Sequence, residues 1–415
     1  MRKQIPATCA LALAAAAGPA AAEQFDMWVR SDGEAFLPEI VEAFNAQSEH
    51  EATLQIVPAA ELVQKYAISA AGGSAPDALS LDLIFTPSFA AAGQLEDLTE
   101  FAKGLPYFDA LSPGHLEVGT YEGRVYGLPY SGDASALLIN RDLYRRAGLD
   151  PDAPPTTWAE IRAHAEAIDA LGDDVHGFYF AGNCPGCNAF TMLPLVWASG
   201  GDVLTEDGTS SAFDSDEMRE AVEFYQGMVA DGLVPAGAQT DSGAGFVSTF
   251  AGGDVGIQGL GSFAIGLLTN QYPDIDFGVS LLPGKDGGTA AFAGGDNIVV
   301  TAGTSESKVE AIEDFIEFSY SPEGQRLLAR GGALPVRTDI AGEVLDGLDE
   351  RYLVTAEAME VGRTPASKVY NDLFNSANGP WNMAVNRAIF GPVDEIGPTL
   401  ETVQEQVQAT IDGAN

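Results

Sequence analysis

The chain is organised around residues 123–142, which read Gly-Arg-Val-Tyr-Gly-Leu-Pro-Tyr-Ser-Gly-Asp-Ala-Ser-Ala-Leu-Leu-Ile-Asn-Arg-Asp. Two short apolar strands are predicted here, one on either side of the small, polar segment 129–135. Pro129 cannot donate a backbone hydrogen bond in a central strand, and Gly132 allows backbone angles that bulkier residues resist. Because the carboxylate of Asp133 follows directly, the stretch is suited to joining two rigid bodies and placing a ligand-binding group between them.

Strands and amphipathic helices alternate before this stretch. They are predicted as strands at 25–29, 53–57 and 78–81, and as helices at 34–47 and 60–71. This alternation is typical of an α/β fold with a parallel, doubly wound sheet that helices cover on both faces. Ligands bind beyond the carboxyl ends of the strands in such sheets. That rule selects three candidate site residues, Ser31, Asp32 and Asp82.

A second α/β unit follows the stretch. Its predicted elements are helices at 158–171, 217–231 and 262–270 and strands at 176–180, 255–258 and 277–282. Two glycine-rich segments, 291–297 and 331–337, come next, and the last helix is predicted at 393–411. The sequence therefore supplies two bodies and flexible segments that can connect them.

The charge of the chain excludes some classes of partner. The 415 residues include 60 acidic and 20 basic side chains, which gives a net charge of −40. This excess argues against binding to nucleic acid or to an anionic membrane. The acidic residues are spread along the chain rather than gathered in runs, which is typical of a solvated surface.

The first 22 residues have the pattern of a secretory signal peptide. Arg2 and Lys3 precede a short Ala/Leu run, and Ala20-Ala21-Ala22 supplies small residues before the expected cleavage site. The apolar run is too short for a transmembrane anchor. We therefore expect an exported protein, which in a bacterium means a periplasmic one.

Cys184 and Cys187 form a C-x-x-C motif after the predicted signal peptide. This spacing fits a redox pair, half of a zinc site or a local disulfide. Zinc would need further thiol or imidazole ligands, and the four histidines show no metal-ligand spacing. The surrounding sequence does not resemble a thioredoxin-like unit, and export favours a disulfide. Because the loop is very short, we expect this bond to stiffen the loop and to add little to global stability.

Four pieces of sequence together carry a family resemblance. They are Tyr-Gly-Leu-Pro-Tyr (126–130) with Leu-Ile-Asn-Arg-Asp-Leu (138–143), Trp158 in Thr-Trp-Ala-Glu, Phe-Ala-Gly-Gly-Asp-Val-Gly-Ile (250–257) with Gly-Ser-Phe (261–263), and Ser-Pro-Glu-Gly-Gln (321–325) with Gly-Ala-Leu-Pro-Val (332–336). In this order and spacing the chain resembles the extracellular solute-binding proteins of ABC sugar importers, the family that includes maltose-binding protein.

The resemblance implies a two-lobed periplasmic binding protein of type II, in which each lobe is a sheet flanked by helices. The lobes of this family close around a ligand by hinge bending. The N-lobe is expected to hold residues 23–131 and 283–333, and the C-lobe residues 132–282 and 334–415. The hinge crossovers are then expected at 129–132, 281–283 and 332–336.

A sugar site needs polar groups that bind hydroxyls and aromatic rings that cover the apolar C–H faces. Matched motif by motif, the resemblance implies ligand-binding positions at Asp32, Asp82, Tyr130, Asp133, Asn188, Phe190, Phe263, Gly295, Asp296 and Trp381. Structural alternatives exist, since acidic residues also cap helices and turns and aromatic residues also fill cores. Phe263 stands where the family often has a tryptophan stacked on sugar. We therefore expect a small ligand, a mono- or disaccharide or a polyol.

These observations together predict a periplasmic receptor that delivers a carbohydrate to the membrane permease subunits of an ABC importer. We expect a monomer with no cofactor, no metal and no catalytic residues. One alternative is a secreted glycoside hydrolase that uses two acids such as Asp32 and Asp133, although nothing marks a catalytic pair. No G-x-S-x-G, H-E-x-x-H or P-loop motif occurs in the sequence. A polyamine receptor that uses the acidic surplus is the other alternative.

Overall fold

The structure is a computed structural model that describes residues 22–172, 174–205 and 207–414, with the side chains in these ranges except those of Asp32, Ala35, Ala59 and Ala60. The predicted signal peptide lies outside the described residues, apart from its last residue. None of the helices in these ranges combines the length and the hydropathy that a membrane crossing requires.

Backbone hydrogen bonds join most of the described strands into one main sheet. In chain order the strands are β1 (Gln24–Arg30), β2 (Glu51–Val57), β3 (Ala78–Asp82), β4 (Thr120–Tyr121), β5 (Arg124–Val125), β6 (Gly127–Asn140), β7 (His176–Tyr179), β8 (Val255–Gly261), β9 (Phe277–Ser280), β10 (Leu282–Pro283), β11 (Thr289–Ala290) and β12 (Ala293–Val300). The short strands β4 and β5 pair with each other, and so do β10 and β11.

Helices alternate with these strands and continue after the last of them. In the first unit they are α1 (Leu37–Gln47), α2 (Ala59–Gly72), α3 (Thr86–Ala91), α4 (Thr99–Gly104) and α5 (Pro113–Gly119). In the second unit they are α6 (Arg141–Ala147), α7 (Trp158–Asp169), α8 (Pro185–Ala198), α9 (Asp216–Ala230), α10 (Ser248–Ala251) and α11 (Phe263–Gln271). After β12 they are α12 (Glu306–Tyr320), α13 (Pro322–Arg330), α14 (Ala341–Leu345), α15 (Arg351–Val361), α16 (Pro380–Met383) and α17 (Ile396–Gly413).

The main sheet consists of two regions that share β6. The N-sheet has the strand order β2-β1-β3-β12-β6, and in the C-sheet β6 lies between β8 and β9, with β7 beyond β8. The prediction of a parallel sheet is confirmed for β1 with β2 and β3, but it is wrong for the N-sheet as a whole. β12 runs antiparallel to β3 and β6 because it returns from the C-sheet, in the direction opposite to β1 and β3.

β6 is one continuous strand, which corrects the prediction of two strands separated at 129–135. It pairs with β12 up to Ala134 and with β8 from Ser135 onward. Pro129 is accommodated by a bulge: Asp296 pairs with Ser131 and the next residue of β12 pairs with Pro129, so the register passes over Tyr130. Within the N-sheet β6 is an edge strand, where a proline costs no ladder hydrogen bond.

The side chains of β1 show how the N-sheet is covered on both faces, as the sequence predicts. Phe25, Met27 and Val29 pack with α1 and α12 on one face, whereas Trp28 packs with α2 on the other. A separate core surrounds the C-sheet and includes residues from β6, α7, α8, α9 and α17. The two sheets therefore have hydrophobic cores of their own.

The division of the chain into lobes at 131/132, 282/283 and 333/334 stays a prediction. Packing adds one detail to it: Leu282 and Phe292 both lie in the core of the C-sheet. Gly294 and Asp296, a few residues later, already pair with the middle of β6.

Cys184 and Cys187 form a disulfide at the start of α8, as predicted. Gly243 lies against it, since a Cβ atom at this glycine would be 2.8 Å from the Cys184 sulfur. In the described residues no group of three or more His, Cys, Asp or Glu side chains is arranged to hold a metal ion.

Gly295 and Gly287 provide a test of how closely β12 and β6 approach. Both have a left-handed φ, +112° and +105°, but a Cβ at Gly295 would lie 2.0 Å from the carbonyl oxygen of Ser131, whereas a Cβ at Gly287 meets nothing within 4 Å. We expect Gly287→Ala to cost about 1–3 kcal/mol of backbone strain. Gly295→Ala should cost clearly more, measured as the free energy of unfolding in urea. Equal losses would show that β6 can move away from β12 without penalty.

Candidate ligand-binding site

A cavity of about 710 Å³ lies beside the paired segments of β6 and β12, between the N-sheet and the C-sheet. Small-molecule sites usually have volumes of roughly 300–1,000 Å³. The cavity is lined by Arg30, Gly33, Phe36, Ser131, Gly132, Asp133, Ser262, Phe263, Gly266, Leu267, Asn270, Gln271, Gly295, Asp296, Arg330, Gly331, Gly332, Ala333 and Tyr352. Its walls come from β1, β6 and β12 of the N-sheet and from α11 and α15, which pack into the core of the C-sheet, so it is the candidate site.

Arg30 lies at the carboxyl end of β1 and is held by two carboxylates. Its Nη1 is 3.0 Å from Oδ2 of Asp82, and its Nη2 is 2.6 Å from Oδ1 of Asp296. The sheet brings these groups together, because Asp82 ends β3 beside β1 and pairs directly with Asp296 of β12. Ser80 donates a hydrogen bond of 2.5 Å to the other oxygen of Asp296. The charge of Arg30 is therefore compensated within the protein.

Asp133 belongs to β6, and its side chain lies at the N-terminus of α11. Its Oδ1 accepts a hydrogen bond of 2.5 Å from the Ser262 hydroxyl and one of 3.4 Å from the backbone N–H of Phe263. A carboxylate is stabilised at this end of a helix by the helix dipole. Burial nevertheless raises the pKa of the Asp133 carboxyl to about 6, although both hydrogen bonds act in the opposite direction. The carboxyl is thus a hydrogen-bonding group that changes charge near neutral pH.

His115 lies behind the cavity and holds the backbone of Ser131, one of the residues that line it. It is fully buried, and its Nε2–H donates a hydrogen bond of 3.1 Å to the carbonyl oxygen of Ser131. Its Nδ1 must then accept from the Ser112 hydroxyl, at 2.9 Å. Burial lowers the pKa of His115 to about 4, so the ring is neutral at physiological pH. It positions β6 without adding charge to the cavity.

Phe263 supplies an aromatic surface to the cavity. Its side chain is 40% exposed, unusual for so large an apolar group, and its ring centre lies 6.4 Å from that of Phe246. The backbone N–H of the same residue binds Asp133, so an acceptor and an apolar face are adjacent. A sugar needs both kinds of surface.

Four of the predicted site residues line the cavity: Asp133, Phe263, Gly295 and Asp296. Asp82 is adjacent to it through its ion pair with Arg30. The side chain of Asp32 lies outside the described residues, so its role stays a prediction.

Tyr130, Asn188 and Trp381 do not line this cavity, so their roles as ligand-binding residues stay predictions. Tyr130 is 1% exposed and belongs to the core of the N-sheet. Asn188 is 1% exposed and donates to the carbonyl oxygen of Ala181, and the fully buried Trp381 donates its indole N–H to the carbonyl oxygen of Pro185. Aromatic side chains such as Tyr130 and Trp381 commonly fill cores, and the indole N–H of a buried tryptophan usually finds an acceptor, as it does here.

Phe190 is half-buried behind the cavity rather than in it. Its ring packs against Phe292, at 5.4 Å between ring centres. A Cβ at Gly294 would lie 3.0 Å from its ring, so Phe190 supports the strand that carries Asp296.

Motif matching missed several residues that line the cavity: Arg30, Ser131, Ser262, Arg330 and Tyr352. The rule that ligands bind at strand ends points to Arg30, which ends β1, and the residue before α11 is a natural place for a capping hydroxyl. For Tyr352, which reaches the cavity from α15, the sequence contains no comparable signal.

The pattern of the bacterial extracellular solute-binding protein family matches residues 29–326. This is most of the chain, and the chain therefore belongs to that family. Its members are solute-binding proteins, which places the protein among receptors and not among hydrolases.

Two curated relatives illustrate the range of the family. A putative binding protein of Brucella abortus (strain 2308) is 27% identical over 312 residues, 74% of this chain and 74% of the relative. The sn-glycerol-3-phosphate-binding periplasmic protein UgpB of Yersinia pestis bv. Antiqua (strain Antiqua) is 23% identical over 228 residues, 52% of this chain and 50% of UgpB.

Solved structures share the fold at low sequence identity. The sugar-binding protein MalE of Xanthomonas citri superposes with a TM-score of 0.80 at 21% identity, covering 94% of this chain and 98% of MalE. A solute-binding protein of Thermotoga lettingae TMO, bound with α-D-tagatose, superposes with a TM-score of 0.78 at 23% identity, covering 94% and 100% of the two chains. These likenesses confirm the predicted two-lobed α/β fold.

The raised pKa of Asp133 predicts how stability depends on pH. Between the ordinary carboxyl value, about 4, and the folded value the native state binds more protons than the unfolded chain, so this group lowers stability as pH rises. Asp133→Asn removes the effect, and its stability relative to wild type should increase by about 1–2 kcal/mol between about pH 5 and pH 8. Urea unfolding at both pH values measures this difference.

The exposed Asp109 supplies the control for this experiment. The difference in unfolding free energy between Asp109→Asn and wild type should be the same at both pH values. If the difference between Asp133→Asn and wild type is also the same at both pH values, the carboxyl of Asp133 does not titrate in this range.

Proposed function

We propose that this protein is the periplasmic receptor of an ABC importer and that it binds a mono- or disaccharide or a polyol in the cavity between the N-sheet and the C-sheet. The observation that carries the proposal is that Asp133, which accepts from the backbone N–H of Phe263, lies in the cavity beside a residue whose aromatic side chain is exposed. The carboxylate accepts hydrogen bonds from sugar hydroxyls, and the ring covers a C–H face. Family membership supports solute binding, and the Thermotoga structure contains a sugar.

Delivery to the permease subunits of the importer belongs to the same proposal. The receptor acts as a monomer whose two lobes, 23–131 with 283–333 and 132–282 with 334–415, close on the ligand. Both lobe surfaces then dock on the membrane subunits. The shared strand β6, whose carboxylate Asp133 lines the cavity, supports a coupling between ligand binding and the relative orientation of the lobes.

The polyamine alternative is weakened by the ion pairs of the cavity. A cationic ligand needs carboxylates that have no other partner, whereas Asp82 and Asp296 already bind Arg30. A sugar makes no such demand, since it binds through hydroxyl groups.

The proposal is tested by a thermal-shift screen of sugars, polyols and polyamines, followed by calorimetry on the compounds that stabilise the protein. We expect a carbohydrate of micromolar or tighter affinity, which at 100 times its dissociation constant adds about 2.7 kcal/mol to stability. Asp133→Ala should weaken this binding by at least about tenfold, because a charged hydrogen bond contributes roughly 1.5–3 kcal/mol. Stabilisation by polyamines alone, or unchanged affinity of Asp133→Ala, would contradict the proposal.

Phe263→Ala tests the aromatic half of the site. Removal of the ring should weaken carbohydrate binding by about 2- to 10-fold, the range expected for a stacking contact of roughly 0.5–1.5 kcal/mol. Leu353→Ala is the matched control, because Leu353 is 44% exposed but does not line the cavity. If the two variants bind alike, Phe263 does not contact the ligand.

A further inference from the structure

The charge of the ligand is not decided by the family, since one relative is named for a phosphorylated polyol and one structure contains a neutral sugar. The charged groups at the cavity indicate which charge a ligand can carry. An anionic ligand would bind where the cavity offers positive potential, either at a cationic side chain or at the N-terminus of a helix.

Arg30 is the cationic group on the floor of the cavity, and its side chain is 20% exposed. The guanidinium nitrogens Nη1 and Nη2 lie within ion-pair distance of Asp82 and Asp296. Asp296 cannot turn away, because it is 2% exposed and also accepts the hydrogen bond of Ser80. A ligand phosphate at Arg30 would therefore lie beside two fixed carboxylates.

The N-terminus of α11 is the other positive feature, and it already binds a carboxylate. Asp133 accepts from the Ser262 hydroxyl and from the first backbone N–H of the helix, that of Phe263. These are the donors that a ligand phosphate would use. A phosphate would have to displace Asp133 or lie next to it, and like charges at such distances repel.

We propose that the cavity takes an uncharged carbohydrate and rejects the phosphorylated or carboxylated form of the same compound, because the chain's own carboxylates occupy Arg30 and the N-terminus of α11. This inference rests on the proposed function and adds the charge class of the substrate to it. The imported compound then reaches the cell without a phosphate, and any phosphorylation must follow transport.

Arg330 is a further cation at the cavity, but it lies at the rim. Its side chain is exposed, and it also borders a groove that is lined by Glu323 and Glu343. Solvent screens an anion at such a position, so its contribution to affinity is small.

The first test compares uncharged and anionic probes on the wild-type protein. Calorimetry and thermal melting are carried out with the carbohydrate found in the screen, with its monophosphate, with sn-glycerol 3-phosphate and with inorganic phosphate. We expect the monophosphate to bind at least about 100-fold more weakly than its parent, a factor equivalent to about 2.7 kcal/mol. The other two anions should not stabilise the protein.

The second test replaces two of these carboxylates with uncharged amides, in the double variant Asp82→Asn with Asp133→Asn. The variant should bind inorganic phosphate and sn-glycerol 3-phosphate roughly tenfold more tightly than wild type. The matched control is the double variant Asp142→Asn with Asp276→Asn, which likewise removes two negative charges, here from the surface ion pairs with Arg145 outside the cavity. If the cavity double variant does not fold, its two single variants are measured instead.

Each outcome decides a different question. If a sugar phosphate binds as tightly as its parent, the exclusion of anions is wrong while the carbohydrate receptor stands. If no carbohydrate binds at all, the proposed function is wrong, and this inference fails with it. Should the control gain phosphate affinity as much as the cavity variants, the effect is one of net charge and not of Asp82 and Asp133.

Discussion

The backbone pairing of β6 holds the two sheets of this protein together. Its first half is bonded to β12 in the N-sheet and its second half to β8 and β9 in the C-sheet. Because the register of a strand fixes which side chains face each side, one continuous strand sets the orientation of both sheets. Asp133 and Asp296 reach the same cavity for this reason, although they come from distant parts of the sequence. Gly295 permits it by letting β12 approach the carbonyl of Ser131.

Electrostatic balance is the second constraint on the site. A largely buried guanidinium is costly unless carboxylates and hydrogen bonds compensate it, and removal of one partner leaves the others uncompensated. Arg30, Asp82, Asp296 and Ser80 therefore act as one unit at the strand ends. The chain has a net charge of −40, and within the cavity the single positive charge of Arg30 is compensated by the two carboxylates that bind it.

The sequence predicts regular features well and directions of side chains poorly. Alternation of strands and helices, the disulfide of Cys184 and Cys187 and the cavity position of Asp133 all follow from patterns local to a few residues. The break expected at Pro129 is wrong, since a bulge against β12 and an edge position override the local preference. Trp381 shows the other difficulty. Motif matching assigns a residue to a helix but does not show whether its side chain points to the cavity or to the core, and the side chain of Trp381 is fully buried.

The continuity of β6 also bears on how the protein would be cut by proteases. Domain joins are usually exposed linkers and are cleaved first, because a protease needs an accessible and locally unfolded segment. In this protein residues 127–140 are buried along almost their whole length. They are hydrogen-bonded to β12 in the N-sheet and to β8 in the C-sheet. Limited digestion should therefore nick outlying loops and leave the N-sheet and the C-sheet connected through this strand.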